Sequence, residues 1–159
     1  MNRITLHPDA LDIIRAHGAS TYPNECCGAL IGSSGDGITR VAEARPLDNV
    51  TAEGPRRRFL VRPDDYRAAE RHARTLGLDL LGFYHSHPDH PARPSQYDLD
   101  HAWPFFSYII VSAIPDGTGA LTSWRLRDDR SAFDEEPVAR STDDATPTAD
   151  RAAGVAGDR

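Results

Sequence analysis

A chain of 159 residues, 39% hydrophobic and 26% charged, has room for one domain with a real core and little room for a second. No apolar run approaches the roughly 20 residues of a membrane-spanning helix, and a net charge of −6 argues against wholesale nucleic-acid binding. The only cysteines, Cys26 and Cys27, are adjacent and imply no disulfide framework.

The opening stretch, MNRITLHPDALDII, lacks the basic, apolar and small-residue blocks of a signal peptide, which predicts a cytoplasmic protein. The spacing predicts a helix over 7–19: Pro8 suits its first turn, and Ala10, Ile13, Ile14 and His17 recur at i, i+3, i+4 and i+7. Cys26 to Ile31 is a short apolar run closed by a Gly/Ser/Asp turn. It reads as a buried strand that pairs as a hairpin with 38–44. Residues 45–58, RPLDNVTAEGPRRR, read as a long loop of a kind that is often functional, and 59–61 as a short strand. Pro63 opens a second helix with Tyr66, Ala69, Ala73 and Leu76 on one face and Gly77 as its stop.

A strand follows over 78–87, then a Pro/His/Asp loop over 88–94 and a third short helix from Ser95 to about Trp103. SYIIVSAI, 107–114, is a strong strand, and the turn PDGTG leads into a last strand over 120–126. From 135 onward aromatics vanish and Thr, Asp, Arg and Ala dominate. Such a segment buries too little apolar surface to order itself, so the expectation is one domain over 1–134 and a disordered tail over 135–159. The order α-β-β-β-α-β-α-β-β indicates an α/β or α+β domain around a mixed, mostly antiparallel sheet flanked by helices. All 18 basic residues are arginine. That fits a GC-rich genome with an acidic proteome, and it also leaves no lysine side chain through which the chain could itself be conjugated.

The chemistry concentrates in GFYHSHPDHPARPSQYDLDHAW. His85 and His87 are two apart at the end of a strand, where alternation sends both imidazoles to one face and Ser86 to the other. Asp98 lies beyond a loop long enough to turn back. Two nitrogens and one carboxylate form a set that zinc takes readily, with a fourth position left for water, which is the catalytic pattern rather than the structural one. Hydrolysis there also needs a carboxylate near the metal but not on it to carry the proton, and Glu25, at the mouth of the first buried strand, is the candidate. Ser95 sits beside the metal loop, where its hydroxyl could donate to an oxyanion; with Asp98 it also fits a capping box, S-x-x-D.

Other residues read more plainly. His90 falls in a loop and suits a solvated position, His101 lies one helical turn beyond Asp98 and suits a supporting role, and Trp103, Phe105 and Phe106 suit the core. Cys27 suits a small buried residue, with no partner base in view. A zinc deaminase would need H-x-E and P-C-x-x-C, and neither occurs.

Glu25 followed by His85-x-His87, seven residues, Ser95, two residues and Asp98 resembles the motif of the JAMM, or MPN-plus, metallopeptidases. YPNECCGALIG (22–32) is similar to the stretch around the glutamate of their stand-alone prokaryotic members. Asn49, Phe59 and Pro63 resemble the run-up to their second helix, and SYIIVSA the strand after the motif. The resemblance covers roughly 4–128. It implies a curved sheet flanked by helices, of the cytidine-deaminase-like architecture, and a single catalytic zinc (Zn2+) held by His85, His87 and Asp98. It further implies Glu25 as acid/base, Ser95 as oxyanion donor, and hydrolysis of peptide or isopeptide bonds. The implied partner is a ubiquitin-fold or sulfur-carrier protein ending in Gly-Gly, its tail lying along the edge beside 45–58. Arg56, Arg57 and Arg58 read either as a contact for an acidic carrier surface or as a solvated basic loop. A protein-binding MPN module without turnover, or a subunit active only in a complex, is the alternative.

Overall fold

The computed structural model describes residues 2–48 and 62–141; the expected strand at 59–61, Asn49 and Arg56 to Arg58 lie outside them. The elements are β1 Arg3–Leu6, α1 Pro8–Thr21, β2 Cys27–Gly35, β3 Ile38–Leu47, α2 Pro63–Thr75, β4 Asp79–Pro88, α3 Gln96–His101, β5 Ser107–Ile114, β6 Gly117–Leu126, β7 Phe133–Glu136 and β8 Val138–Arg140. They build one eight-stranded sheet in the order β7-β6-β5-β4-β2-β3-β1-β8. Four neighbouring pairs are antiparallel, and β1–β3, β1–β8 and β4–β5 are parallel. The fold is thus the expected α+β architecture with a mixed, mostly antiparallel sheet and flanking helices.

Local chemistry explains the elements. In α1, Pro8 occupies the first turn and His7 caps it by accepting from the Asp9 N–H through Nδ1 at 3.1 Å. Asp36 and Gly37, at φ 55° and 77°, make the two-residue left-handed turn that joins β2 to β3, a conformation whose twist matches the flanking strands. In α2, Asp64 and Asp65 stand in the first turn and His72 and Arg74 in the last, each sign at the helix end it favours.

The two faces of the sheet carry separate cores. Ile4, Leu6, Ile14, Leu30, Tyr84 and Ile109 pack with α1 on one side. Ala69, Phe83, Ala102, Tyr108 and Leu126 pack with Tyr66, Leu99 and Phe106 on the other, under α2 and α3. Phe106 fulfils its expected core position. Trp103 and Phe105 do not, at 44% and 79% exposed. The short α3–β5 connection cannot turn every ring inward, and Phe105 at φ 76° is carried outside.

Two differences from the sequence reading concern the ends of the sheet. β1 was not expected, and the segment expected to be tail from 135 contributes β7 and β8, so the domain runs past 134 to Ser141. The composition of 133–140 is polar because these strands gain their order from backbone bonding. Ile4 N–H donates to Pro137 O at 3.0 Å and Ser141 N–H to Leu6 O at 2.8 Å. Glu136, 3% exposed, accepts from the Ser123 hydroxyl at 2.8 Å, and Val138 packs on the α1-side core.

Only Pro137 separates β7, on one edge of the sheet, from β8, on the other. The Cα atoms of Glu136 and Val138 are at most about 7 Å apart, so the two edges nearly meet and the sheet must curl around α1. Ending the chain after Asp134 removes this closure, takes away β8 and half of β7 with the buried Glu136, and bares one edge of β1. Each backbone hydrogen bond lost contributes about 0.5–1.5 kcal/mol. Thermal unfolding should therefore show a clearly lower midpoint for a chain ending at 134, and an unchanged midpoint would contradict a structural role for 135–141.

Candidate metal centre

Alternation along β4 sorts its side chains. Tyr84 and Ser86 face α1, where the Tyr84 hydroxyl meets His17 Nδ1 at 2.7 Å. Phe83, His85 and His87 face α3, with His85 1% and His87 8% exposed. Asp98 reaches them from the first turn of α3. Ser95 Oγ accepts from the Asp98 N–H at 3.1 Å, and Asp98 Oδ2 accepts from the Ser95 N–H at 2.8 Å, closing the capping box. One local motif therefore both starts the helix and aims the carboxylate.

The three donor atoms form a nearly equilateral triangle. His85 Nε2 to His87 Nε2 is 3.1 Å, and Asp98 Oδ2 is 3.3 Å from each nitrogen. A tetrahedral zinc with bonds of about 2.0–2.1 Å separates its ligand atoms by about 3.3 Å. The triangle therefore fits one face of such a tetrahedron. Among the described residues this is the one group of three or more metal-binding side chains that converge in this way. His87 Nδ1 lies 3.0 Å from Pro91 O, a carbonyl that can only accept, so Nδ1 carries the proton and the Nε2 lone pair points into the triangle.

The electrostatics favour a neutral His85 and an ionised Asp98. Burial pushes His85 down, toward the neutral imidazole. Burial also opposes charge on His87, but the Asp98 carboxylate and Pro91 O outweigh it and raise the group. Burial raises Asp98 in turn, yet the two histidines and the Ser95 N–H hold it well below the usual carboxylate range.

Glu25 is 8% exposed and shares with His87, Ser95 and Asp98 the lining of a cavity of about 660 Å³. β2 and β4 pair Cys27 with His85, and continuing that register sets Glu25 opposite His87. Ser86 fixes this placement: its N–H donates to Cys26 O at 3.1 Å and its hydroxyl oxygen accepts from the Cys26 N–H at 2.9 Å. The clamp holds the residue next to Glu25 against the residue between the two histidines. A hydroxyl residue between the histidines is the only trace of it in the sequence.

The remaining candidates fall outside the cluster. His90 is exposed. His101 bonds the Tyr97 carbonyl at 2.8 Å and stacks on the Tyr97 ring at 4.0 Å, without touching the three ligands. Cys27 is fully buried, and burial pushes its thiol up to about 12, so it is an un-ionised packing residue.

The family model for prokaryotic homologs of the JAB domain matches residues 7–127. A desampylase from Haloferax volcanii is 38% identical over 128 residues, covering 77% of this chain and 88% of its own. A solution structure from Salinibacter ruber is 47% identical with a TM-score of 0.69, covering 90% of this chain and 94% of that one. A JAB1/MPN domain protein from Archaeoglobus fulgidus, 23% identical with a TM-score of 0.53, covers 85% of this chain and 98% of its own and shares the fold.

Proposed function

This chain is a member of the prokaryotic JAB family, within the JAMM/MPN group, and from that membership we propose that it is a zinc-dependent peptidase or isopeptidase. Its substrate in this reading is a ubiquitin-fold or sulfur-carrier protein, cut after the C-terminal Gly-Gly in the cytoplasm. The observation that carries the reading is the triangle of His85, His87 and Asp98, of which His87 and Asp98 line a cavity together with Glu25 and Ser95. The name of the haloarchaeal relative, desampylase, denotes removal of an attached group and supports a deconjugating reaction.

His85, His87 and Asp98 would hold the ion. When bound, zinc supplies Lewis acidity and brings the pKa of water down to about 7. Glu25 takes the proton of the attacking water and returns it to the leaving amine, one carboxylate serving both halves of the reaction. The Ser95 hydroxyl oxygen already accepts from the Asp98 N–H, so its own proton is left to donate to the oxyanion on the substrate carbon. The walls of the cavity hold the scissile carbonyl between these groups.

The test is hydrolysis of a small ubiquitin-fold carrier extended by several residues past Gly-Gly, followed by mass spectrometry with bound zinc measured in parallel. Release of the extension after Gly-Gly is the expected result. A zinc-loaded protein that leaves every such carrier intact would remove the assigned substrate class. A protein that takes up no zinc would favour the binding-module alternative.

A further inference from the structure

The loop between His87 and Ser95 delivers Asp98 to the two histidines, and three consecutive carbonyls in it each have a donor. His90 O accepts from the Ser112 hydroxyl at 2.8 Å, Pro91 O from His87 Nδ1 at 3.0 Å, and Ala92 O from the Thr122 hydroxyl at 2.7 Å. The Ser112 bond is exposed, so water can replace it. The Thr122 bond is partly buried and its acceptor, Ala92, is 5% exposed.

The Thr122 hydroxyl also has a fixed direction. Trp124 Nε1–H donates to Thr122 Oγ1 at 2.8 Å. An indole nitrogen can only donate, and a hydroxyl has a single proton, so that proton points at Ala92 O. Thr122 and Trp124 are two apart on β6, two strands away from the histidines. This places a short relay, Trp124 to Thr122 to Ala92, directly behind the segment whose preceding carbonyl, Pro91 O, sets the His87 tautomer.

We propose that Thr122, oriented by Trp124, is a positioning residue of the metal centre. It holds the loop in the register where Pro91 O locks His87 and Asp98 meets both imidazoles. A shift of the Ala92 backbone disturbs two of the three ligands together, since Pro91 O precedes it and Asp98 follows on the same loop-to-helix segment. The proposal rests on the zinc reading above.

The experiment compares zinc affinity, by chelator competition at fixed pH, and thermal midpoint for the full chain and for Thr122→Val, Thr122→Ser, Trp124→Phe and Ser112→Ala. Thr122→Val should weaken zinc binding about 10–100-fold, the range seen when a supporting group of a ligand is removed. Thr122→Ser should restore it, Trp124→Phe should fall between, and Ser112→Ala should stay near wild type. A purely structural role would lower the midpoint of Thr122→Val and leave its zinc affinity alone, and that result overturns the assignment. Equal weakening by Thr122→Ser and Thr122→Val overturns it as well. Should Thr122→Val not fold, Trp124→Phe decides, since unchanged affinity there contradicts the relay. Absence of zinc binding in the wild type sinks the parent reading and this one together, whereas tight wild-type binding with an indifferent Thr122 sinks only this one.

Discussion

Replacing Asp98 by alanine should empty the metal site. The carboxylate is the only anionic member of the triangle, 3.3 Å from both imidazole nitrogens, and no other carboxylate belongs to the converging group among the described residues. Losing a group that merely orients a ligand costs about 10–100-fold in metal affinity, so losing a ligand itself should cost more than about 100-fold. The substitution also removes half of the capping box. Asp98→Asn separates the two effects. Its amide oxygen can still accept from the Ser95 N–H, so α3 should keep its start while zinc is lost. Metal content after dialysis against a weak chelator reads the result, and stoichiometric zinc in Asp98→Ala at wild-type affinity would exclude the assigned ligand set.

Glu25→Gln should behave in the opposite way, keeping zinc and losing turnover. The amide matches the carboxylate in size, so the register that sets Glu25 opposite His87 and the Ser86 clamp on Cys26 survive. A glutamine cannot take a proton from water or return one to an amine. Positioned proton transfer contributes about 10²–10⁴-fold, and a fall in kcat of that size is expected. Two results would reject the role. Full activity would mean that the proton travels by another route, and loss of zinc would mean that Glu25 belongs to the ligand set rather than to the proton path.

Much of this centre could be read from spacing, because its geometry is local. The alternation of a strand puts His85 and His87 on one face, and S-x-x-D announces the cap that orients Asp98, so few residues of context suffice. β5 matches its expected bounds because SYIIVSAI carries a continuous apolar run at its centre, Ile109 to Val111, and it is buried on both faces there. The features that no local pattern marks depend on partners far away in sequence. β1 is four residues immediately ahead of a helix, and its order comes from β3 and β8. β7 and β8 look like tail because composition weighs side chains, whereas an edge strand is held largely by its backbone. The Thr122 bond to Ala92 spans 30 residues and the Ser86 bond to Cys26 spans 60, and no local pattern marks a hydroxyl as the anchor of a distant loop. Trp103 and Phe105 show the converse limit: hydrophobicity alone does not say which rings a short connection can turn inward.

The joining of the two sheet edges through Pro137 also sets an order of events during synthesis. Ile4 pairs with Val138, almost the full described span apart, so the closing contact carries the largest loop-closure entropy in the domain and belongs to the slowest class of pairing. His85, His87 and Asp98 emerge from the ribosome well before β8. At about 5–20 residues per second, the nascent chain carries all three of these side chains for several seconds while one edge of β1 is still bare. In that interval the bare edge is a template for any other strand, and arrival of residues 138–140 ends the exposure.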